Sequence, residues 1–311
     1  MSRFAPVVLF TTMLALLVAC SSAPAPVPTA TTVVPSSFSD RGGRQITLSA
    51  PPTRIVSLAP SITETLFAIG AGAQVVGVTT FCNFPAEAAA LTKVGGFTAD
   101  TLSLEAIINL DPDLVLAGDA GQLAPLEALK PLGIPVLLFA PGQLQEVYAD
   151  IEQLGAITGH ESEAAAALTA MRGRIERVVA AVADIPADQR LRVFWEVFDE
   201  PLMTAGPTTF IGQLIELAGA QNIFADASEE YPQVSTEAIV ERNPDVIVGP
   251  DYHADKLTPE LVAQRPGWDQ LAAVKDERVY LLNADMVSRP GPRLADALEE
   301  LARVLYPERF P

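Results

Sequence analysis

The sequence predicts an α/β protein of two similar lobes with mainly parallel sheets, joined by one long α-helix. Three observations lead there. A fifteen-residue stretch occurs twice, as LSLEAIINLDPDLVL at Leu102–Leu116 and VSTEAIVERNPDVIV at Val234–Val248. Short aliphatic runs alternate with amphipathic stretches along the body of the chain. Between the two copies, Glu161–Asp184 lacks proline, is rich in alanine and spaces its apolar residues as a helix does.

The duplication keeps Ser103/Ser235, Glu105/Glu237, Ala106/Ala238, Ile107/Ile239, Pro112/Pro244 and Asp113/Asp245 in register. Most other pairs exchange one aliphatic for another. Upstream of each copy stands the same tetrapeptide, AGAQ, at Ala71–Gln74 and Ala218–Gln221. Two lobes of about 130 residues each are large enough to bury their own cores.

Candidate strands run over Arg54–Leu58, Val75–Val78, Leu114–Ala117, Val136–Phe139, Arg192–Val197, Val246–Val248 and Val279–Leu282. Near-continuous aliphatic strands separated by helices imply parallel sheets covered on both faces. Pro60-Ser61-Ile62-Thr63-Glu64 offers a Ser-x-x-Glu capping box ahead of an apolar run that ends at Gly70. In Glu161–Asp184 the apolar positions are Leu168, Met171, Ile175, Val178, Val179 and Val182. A helix of that length spans on the order of 36 Å, enough to cross from lobe to lobe and to limit their relative movement.

The amino terminus belongs outside the fold. Arg3 supplies a basic start, Phe4–Val18 is apolar but too short and too interrupted for a membrane span, and Leu17-Val18-Ala19-Cys20 follows. That ending has the form of a bacterial lipobox, with cleavage before Cys20 and a lipid on its thiol. From Ser21 to Ser39 the chain is Ser, Ala, Pro, Thr and Val with one Phe and no charge, a composition that cannot order itself. It serves as a tether on the order of 25 Å.

The expected organisation is a signal peptide over 1–20, a disordered tether over 21–45, a first α/β lobe over 46–158, the interlobe helix over 159–186 and a second lobe over 187–311. The formal charge of −18 argues against nucleic-acid binding. With Cys20 lipidated, Cys82 has no intrachain partner, and two histidines argue against a His-based metal site. No phosphate-binding loop, His-Glu-x-x-His, Gly-x-Ser-x-Gly or Gly-x-Gly-x-x-Gly element occurs. An enzymatic role finds no support.

Several stretches resemble one family: Arg54-Ile-Val-Ser-Leu-Ala-Pro-Ser-Ile-Thr-Glu, Phe81-Cys-Asn-Phe-Pro, Lys93-Val-Gly-Gly-Phe, Ser103-Leu-Glu with Pro112-Asp-Leu-Val, and Tyr231-Pro-Gln-Val-Ser. Over about Arg54–Leu305 the chain is similar to the solute-binding proteins of the helical-backbone class that serve ABC importers of cobalamin, ferric siderophores and haem. Within that class it most resembles the cobalamin binders, which carry similar Asn-aromatic-Pro and aromatic-Pro-Gln-Val-Ser stretches. The resemblance implies two Rossmann-like lobes, a monomer without a cofactor, and a small-molecule ligand in the interlobe cleft. It also implies a permease dimer with ATPase subunits as partner. The protein is expected to be exported, and lipid-anchored to the outer face of the cell membrane or in the periplasm.

The resemblance further implies one acidic docking residue per lobe, which meets an arginine on each transmembrane subunit. Ser-x-Glu places Glu105 and Glu237 there, although a Glu after a Ser cap also offsets the helix dipole. Ligands of such folds sit beyond the carboxyl ends of the strands. On the first lobe that selects Pro60, Ser61, Phe81, Asn83, Phe84, Gly118 and Asp119. On the second lobe it selects Trp195, Phe198, Tyr231, Tyr252, His253, Ser288 and Arg289. Aromatic rings suit a large flat corrin. Trp195 fits a core position equally well, and Arg289 and Arg293 fit either a ligand's phosphate or carboxylate or an internal salt bridge. Haem binders typically place an iron-ligating Tyr or His in the stretch that here has Phe81 and Phe84. A ferric siderophore or haem remains the alternative to cobalamin.

Overall fold

The computed structural model describes Met1, residues 35–253 and residues 257–310. The strands are β1 (Ser36–Ser39), β2 (Gln45–Leu48), β3 (Ile55–Ser57), β4 (Val75–Val78), β5 (Thr92–Lys93), β6 (Leu114–Ala117) and β7 (Val136–Leu138). They continue with β8 (Arg192–Trp195), β9 (Phe198–Asp199), β10 (Leu202–Met203), β11 (Gln221–Asn222), β12 (Val246–Pro250) and β13 (Val279–Leu282). One parallel sheet has the order β5-β4-β3-β6-β7, the other β11-β8-β12-β13. In each, the sheet's first strand in chain order, β3 or β8, lies inside and the chain winds outward to both sides.

The duplicated sequence accounts for this likeness. Its two copies supply helix Leu104–Asn109 with β6 and helix Thr236–Arg242 with β12, each strand lying beside the central one. The AGAQ echoes likewise lead into β4 and β11, on the opposite side of the centre. Just past each copied helix the chain enters the left-handed region, at Asp111 (φ 46°) and Asn243 (φ 40°), residue types that tolerate it. The carbonyls orphaned at these ends need donors. Arg54 donates to the carbonyls of Leu110 and Asp111, and Arg192 to those of Arg242 and Asn243. Asp113 and Asp245 complete the clasp by accepting from the backbone N–H of those same arginines at 3.0 and 2.8 Å.

Alternation along each strand divides the core into layers. Val193 and Trp195 face one way and Phe194 the other; Leu114 and Leu116 oppose Val115. The layer shared by both sheets is continuous, and the long helix Glu161–Val182 runs through it with Ala164, Leu168, Met171, Ile175, Val178 and Val182 buried. These six fall on one stripe at helical spacing. Helix Leu144–Thr158 precedes it and packs closely, since a Cβ on Gly155 would lie 2.5 Å from that of Ala164. At the second lobe Arg174 of the long helix pairs with Asp296 and Glu299 of helix Leu294–Leu305, both at 2.6 Å.

One boundary needs correcting. The stretch 36–45, assigned to the tether, forms most of an antiparallel hairpin of β1 and β2 docked on the first lobe. Phe38, Ile46 and Leu48 pack on the core. The Asp40 carboxylate accepts from Arg44 N–H at 2.8 Å and Leu138 N–H at 3.0 Å. Arg41 pairs with Asp150 of helix Leu144–Thr158 at 2.7 Å. Charge begins at Asp40, so the low-complexity reading ran too far. Cys20, the expected signal and the tether as far as residue 34 lie outside the described residues.

Asp150 is 8% exposed. Burial, only partly offset by Arg41, raises its carboxyl from the ordinary 3.8 to about 6. A raised carboxyl pKa means that the folded state holds the proton more tightly. Its contribution to stability is therefore most favourable below pH 4 and is lost as pH rises toward 6, by roughly 3 kcal/mol at most. Asp150→Asn should gain stability relative to the parent as pH rises from 4 to 7, read as the difference between their thermal midpoints.

Candidate functional site

Between the lobes lies a cleft of about 880 Å³ whose lining follows the carboxyl ends of strands from both sheets. The first lobe contributes Pro60 and Ser61 after β3, Phe81 after β4, Phe97 after β5 and Gly118 after β6. Phe139 and the Ala140-Pro141-Gly142 turn follow β7. The second lobe brings Glu230 and Tyr231, then Tyr252 after β12, and Asp285, Ser288 and Arg289 after β13. At Gly118 a Cβ would stand 2.2 Å from that of Ala59, so only glycine lets β6 and the β3 turn meet behind the cleft.

The character of the lining is aromatic. Phe81 and Tyr252 are each 55% exposed, large rings left open to the cleft where an apolar ligand would cover them. Tyr231 is more enclosed. Burial, with the Glu230 carboxylate beside it, pushes its hydroxyl up to about 12, so it stays a protonated donor at physiological pH. Tyr252 is also raised by burial and donates to the Val197 carbonyl at 3.3 Å.

Of the residues singled out from the sequence, Pro60, Ser61, Phe81 and Gly118 on the first lobe reach the cleft, as do Tyr231, Tyr252, Ser288 and Arg289 on the second. Others do not. Trp195 is 1% exposed in β8 and belongs to the core layer of the long helix. Phe198 lies in the β9–β10 hairpin and is not part of the lining. Asp119 is occupied as a cap, accepting from Gly121 N–H at 2.7 Å. Asn83 and Phe84 stand behind the wall, Asn83 bonded to Asp285 and Arg289 and the Phe84 ring 4.3 Å from the Arg293 guanidinium. His253 ends a short turn at Asp251–His253, and its side chain lies outside the described residues. Missed were Phe97, within the Lys93-Val-Gly-Gly-Phe stretch, and Phe139 with its Ala-Pro-Gly turn. The end of the predicted strand Val136–Phe139 was the available signal for the latter.

The largest departure concerns Glu64. Helix Pro60–Ala68 has no side-chain cap, and Glu64 closes no capping box. It is 3% exposed and serves both arginines of the Ser288–Arg293 turn. Its Oε1 accepts from Arg289 Nη1 at 2.9 Å and Arg293 Nη2 at 2.7 Å, and its Oε2 from Arg293 Nε at 2.8 Å. Arg289 also donates to Asn83 Oδ1, the Phe81 carbonyl and Asp285. An interlobe salt bridge thus sits under the aromatic basin.

Cys82 is buried, its sulfur 3.2 Å from the hydroxyls of both Thr63 and Thr79. Among the described residues no group of three or more His, Cys, Asp or Glu is positioned to hold a metal ion. On the outer surface, Ser103 caps Ala106 N–H and Ser235 caps Ala238 N–H, both at 3.2 Å. Glu105 and Glu237 are therefore exposed at equivalent first turns of the two lobes. Its own backbone N–H and the Ser235 hydroxyl hold the Glu237 carboxyl below the ordinary range.

Removing one member of a buried ion pair leaves the other charge uncompensated. Glu64→Ala leaves Arg293 without a carboxylate partner and Arg289 with Asp285 alone, and should cost about 3–5 kcal/mol in chemical denaturation.

The sequence of residues 55–286 matches the model of the family described as periplasmic binding protein. The chain is 37% identical over 285 residues, 90% of its length and 88% of the relative's, to the uncharacterized ABC transporter substrate-binding lipoprotein YvrC of Bacillus subtilis. Its fold is similar to the crystal structure of the periplasmic vitamin B12 binding protein BtuF of Vibrio cholerae, with TM-score 0.70 and 30% identity over 84% of this chain and 99% of that one. A possible iron-binding periplasmic solute-binding protein of Staphylococcus epidermidis superposes with TM-score 0.73 and 31% identity, covering 83% of this chain and 100% of that one. A two-lobed α/β body with an open cleft at the strand ends agrees with these likenesses, and the chain belongs to the periplasmic binding protein family, the substrate-binding component of an ABC transporter.

Proposed function

We propose that this chain captures a corrinoid such as cobalamin in the interlobe cleft and delivers it to an ABC permease. The observation that carries the reading is the aromatic basin of about 880 Å³ between the lobes. Phe81, Phe97 and Tyr252 offer ring faces and edges to a broad planar ligand, which gains by area burial and stacking. Tyr231 adds a protonated hydroxyl that can donate to an amide carbonyl at the ligand's edge. Similarity to the Vibrio cholerae vitamin B12 binding protein supports the same choice. The second reading is a ferric siderophore or haem, and the Staphylococcus epidermidis likeness favours an iron ligand.

Delivery rests on Glu105 and Glu237. Exposed carboxylates at equivalent positions of a duplicated element suit two equivalent arginine-bearing subunits, where such charges govern encounter rate and register. The Cys20 thiol carries the lipid, and the segment between it and the β1–β2 hairpin is the tether. Anchoring raises the concentration of a monomeric binding protein near its permease, toward the mM range for a short tether. The ligand is cargo, and no cofactor takes part.

Calorimetric titration with cyanocobalamin should give one site per chain with a submicromolar Kd. Heat from a ferric hydroxamate or haemin alone would transfer the protein to the iron reading. Tyr231→Ala and Phe81→Ala should each weaken binding by about tenfold, the effect of losing a well-packed ring.

Glu105→Ala and Glu237→Ala should leave the calorimetric affinity intact while lowering uptake by whole cells. The double variant should be the most impaired. Normal uptake in the double variant would remove the docking role.

A further inference from the structure

Arg289 is the only cation among the described residues that line the cleft, and both of its terminal nitrogens are engaged by the protein. Its Nη1 is engaged by Glu64 and Asn83, and its Nη2 by the Phe81 carbonyl and Asp285. Arg293 lies behind it, held by both oxygens of Glu64 and covered by the Phe84 ring. Two guanidinium groups thus meet two carboxylates, and Glu230 at the rim adds a third. The basin is left with one net negative charge.

We propose that Glu64 is a specificity-determining residue: by taking up both arginines it confines the cleft to planar ligands without net negative charge and excludes those with free carboxylates. The inference deepens the corrinoid reading and rests on it. A ligand carboxylate reaching for Arg289 would have to displace one of its two carboxylate partners, Asp285 or Glu64, the latter 3% exposed. Either exchange frees a carboxylate, a buried one in the case of Glu64, and returns little electrostatically, because one anion replaces another. Glu230, exposed at the rim, then repels the incoming charge. A ligand bearing amides meets neither obstacle and still covers the exposed rings.

The test uses the full chain and two ligand pairs that differ only in charge. One is cyanocobalamin against its monocarboxylate, in which a single peripheral propionamide is hydrolysed. The other is protoporphyrin dimethyl ester against the free diacid. In each pair that binds, the neutral member should bind about tenfold more tightly or better, and the ratio should shrink on raising salt from about 0.01 to 0.5 M. Glu230→Gln should reduce the ratio to a few-fold. Glu64→Gln, which keeps the side-chain shape while freeing a guanidinium charge, should bring it to about one or reverse it.

A thermal melt establishes that Glu64→Gln is folded. Should it not fold, the parent ratio, its salt dependence and Glu230→Gln decide. Equal binding within a pair, or an unchanged ratio in folded Glu64→Gln, overturns the proposal and leaves the corrinoid reading standing if both corrins bind. Preference for the porphyrin diester with no corrin bound keeps the charge rule and removes the corrinoid reading. Failure of all four ligands overturns both.

Discussion

The apolar stripe of helix Glu161–Val182 is the constraint from which the rest of the architecture follows. Leu168, Met171, Ile175, Val178 and Val182 are buried in a layer that also contains Leu116 of the first sheet and Val193 of the second. Because that layer is continuous, neither sheet can turn far without exposing apolar surface at about 25 cal/mol per Å². The cleft is consequently shaped by two nearly fixed sets of strand ends. Close contact at Gly155 and Ala164 and the Arg174 pairs fasten the helix to each lobe in turn.

Beneath the cleft a second constraint is electrostatic. Glu64 from the first lobe and Arg289 and Arg293 from the second are each largely withdrawn from water. Such a cluster is tolerable because it is densely bonded: three bonds reach the Glu64 oxygens, and Asn83, Asp285 and the Phe81 carbonyl accept from the other donors of the Arg289 terminal nitrogens. The same bonds that permit burial also remove cationic character from the ligand's side of the wall. Interlobe geometry and ligand charge preference therefore share one set of atoms.

Much of this was legible from the sequence because it is periodic. Strands β4, β6 and β13 match their predicted ranges, and the long helix begins at Glu161 and ends within two residues of its expected end. Fully buried parallel strands write themselves as aliphatic runs, and a helix between two layers as a stripe. Two-residue strands such as β5 and β11 carry no period, and the β1–β2 hairpin was hidden in a tract dominated by Ser, Thr and Pro. For the cleft, strand ends located Phe81, Gly118 and Tyr252, whereas Phe97 follows a strand too short to predict. Trp195 went astray by one feature: it is still inside the sheet, where its direction is set by alternation with Phe194.

The sequence alone determined the two lobes, their parallel sheets, the connecting helix and the paired Ser-x-Glu turns, since each depends on residues near one another in the chain. The interlobe cluster was decided only by the tertiary structure. Glu64 looked like a helix cap because its nearest neighbours in sequence include Ser61, yet its partners lie more than two hundred residues away. Local pattern reports which face of an element is apolar. Which charge meets which across a cleft depends on how two separately folded faces come together, and no local spacing encodes that.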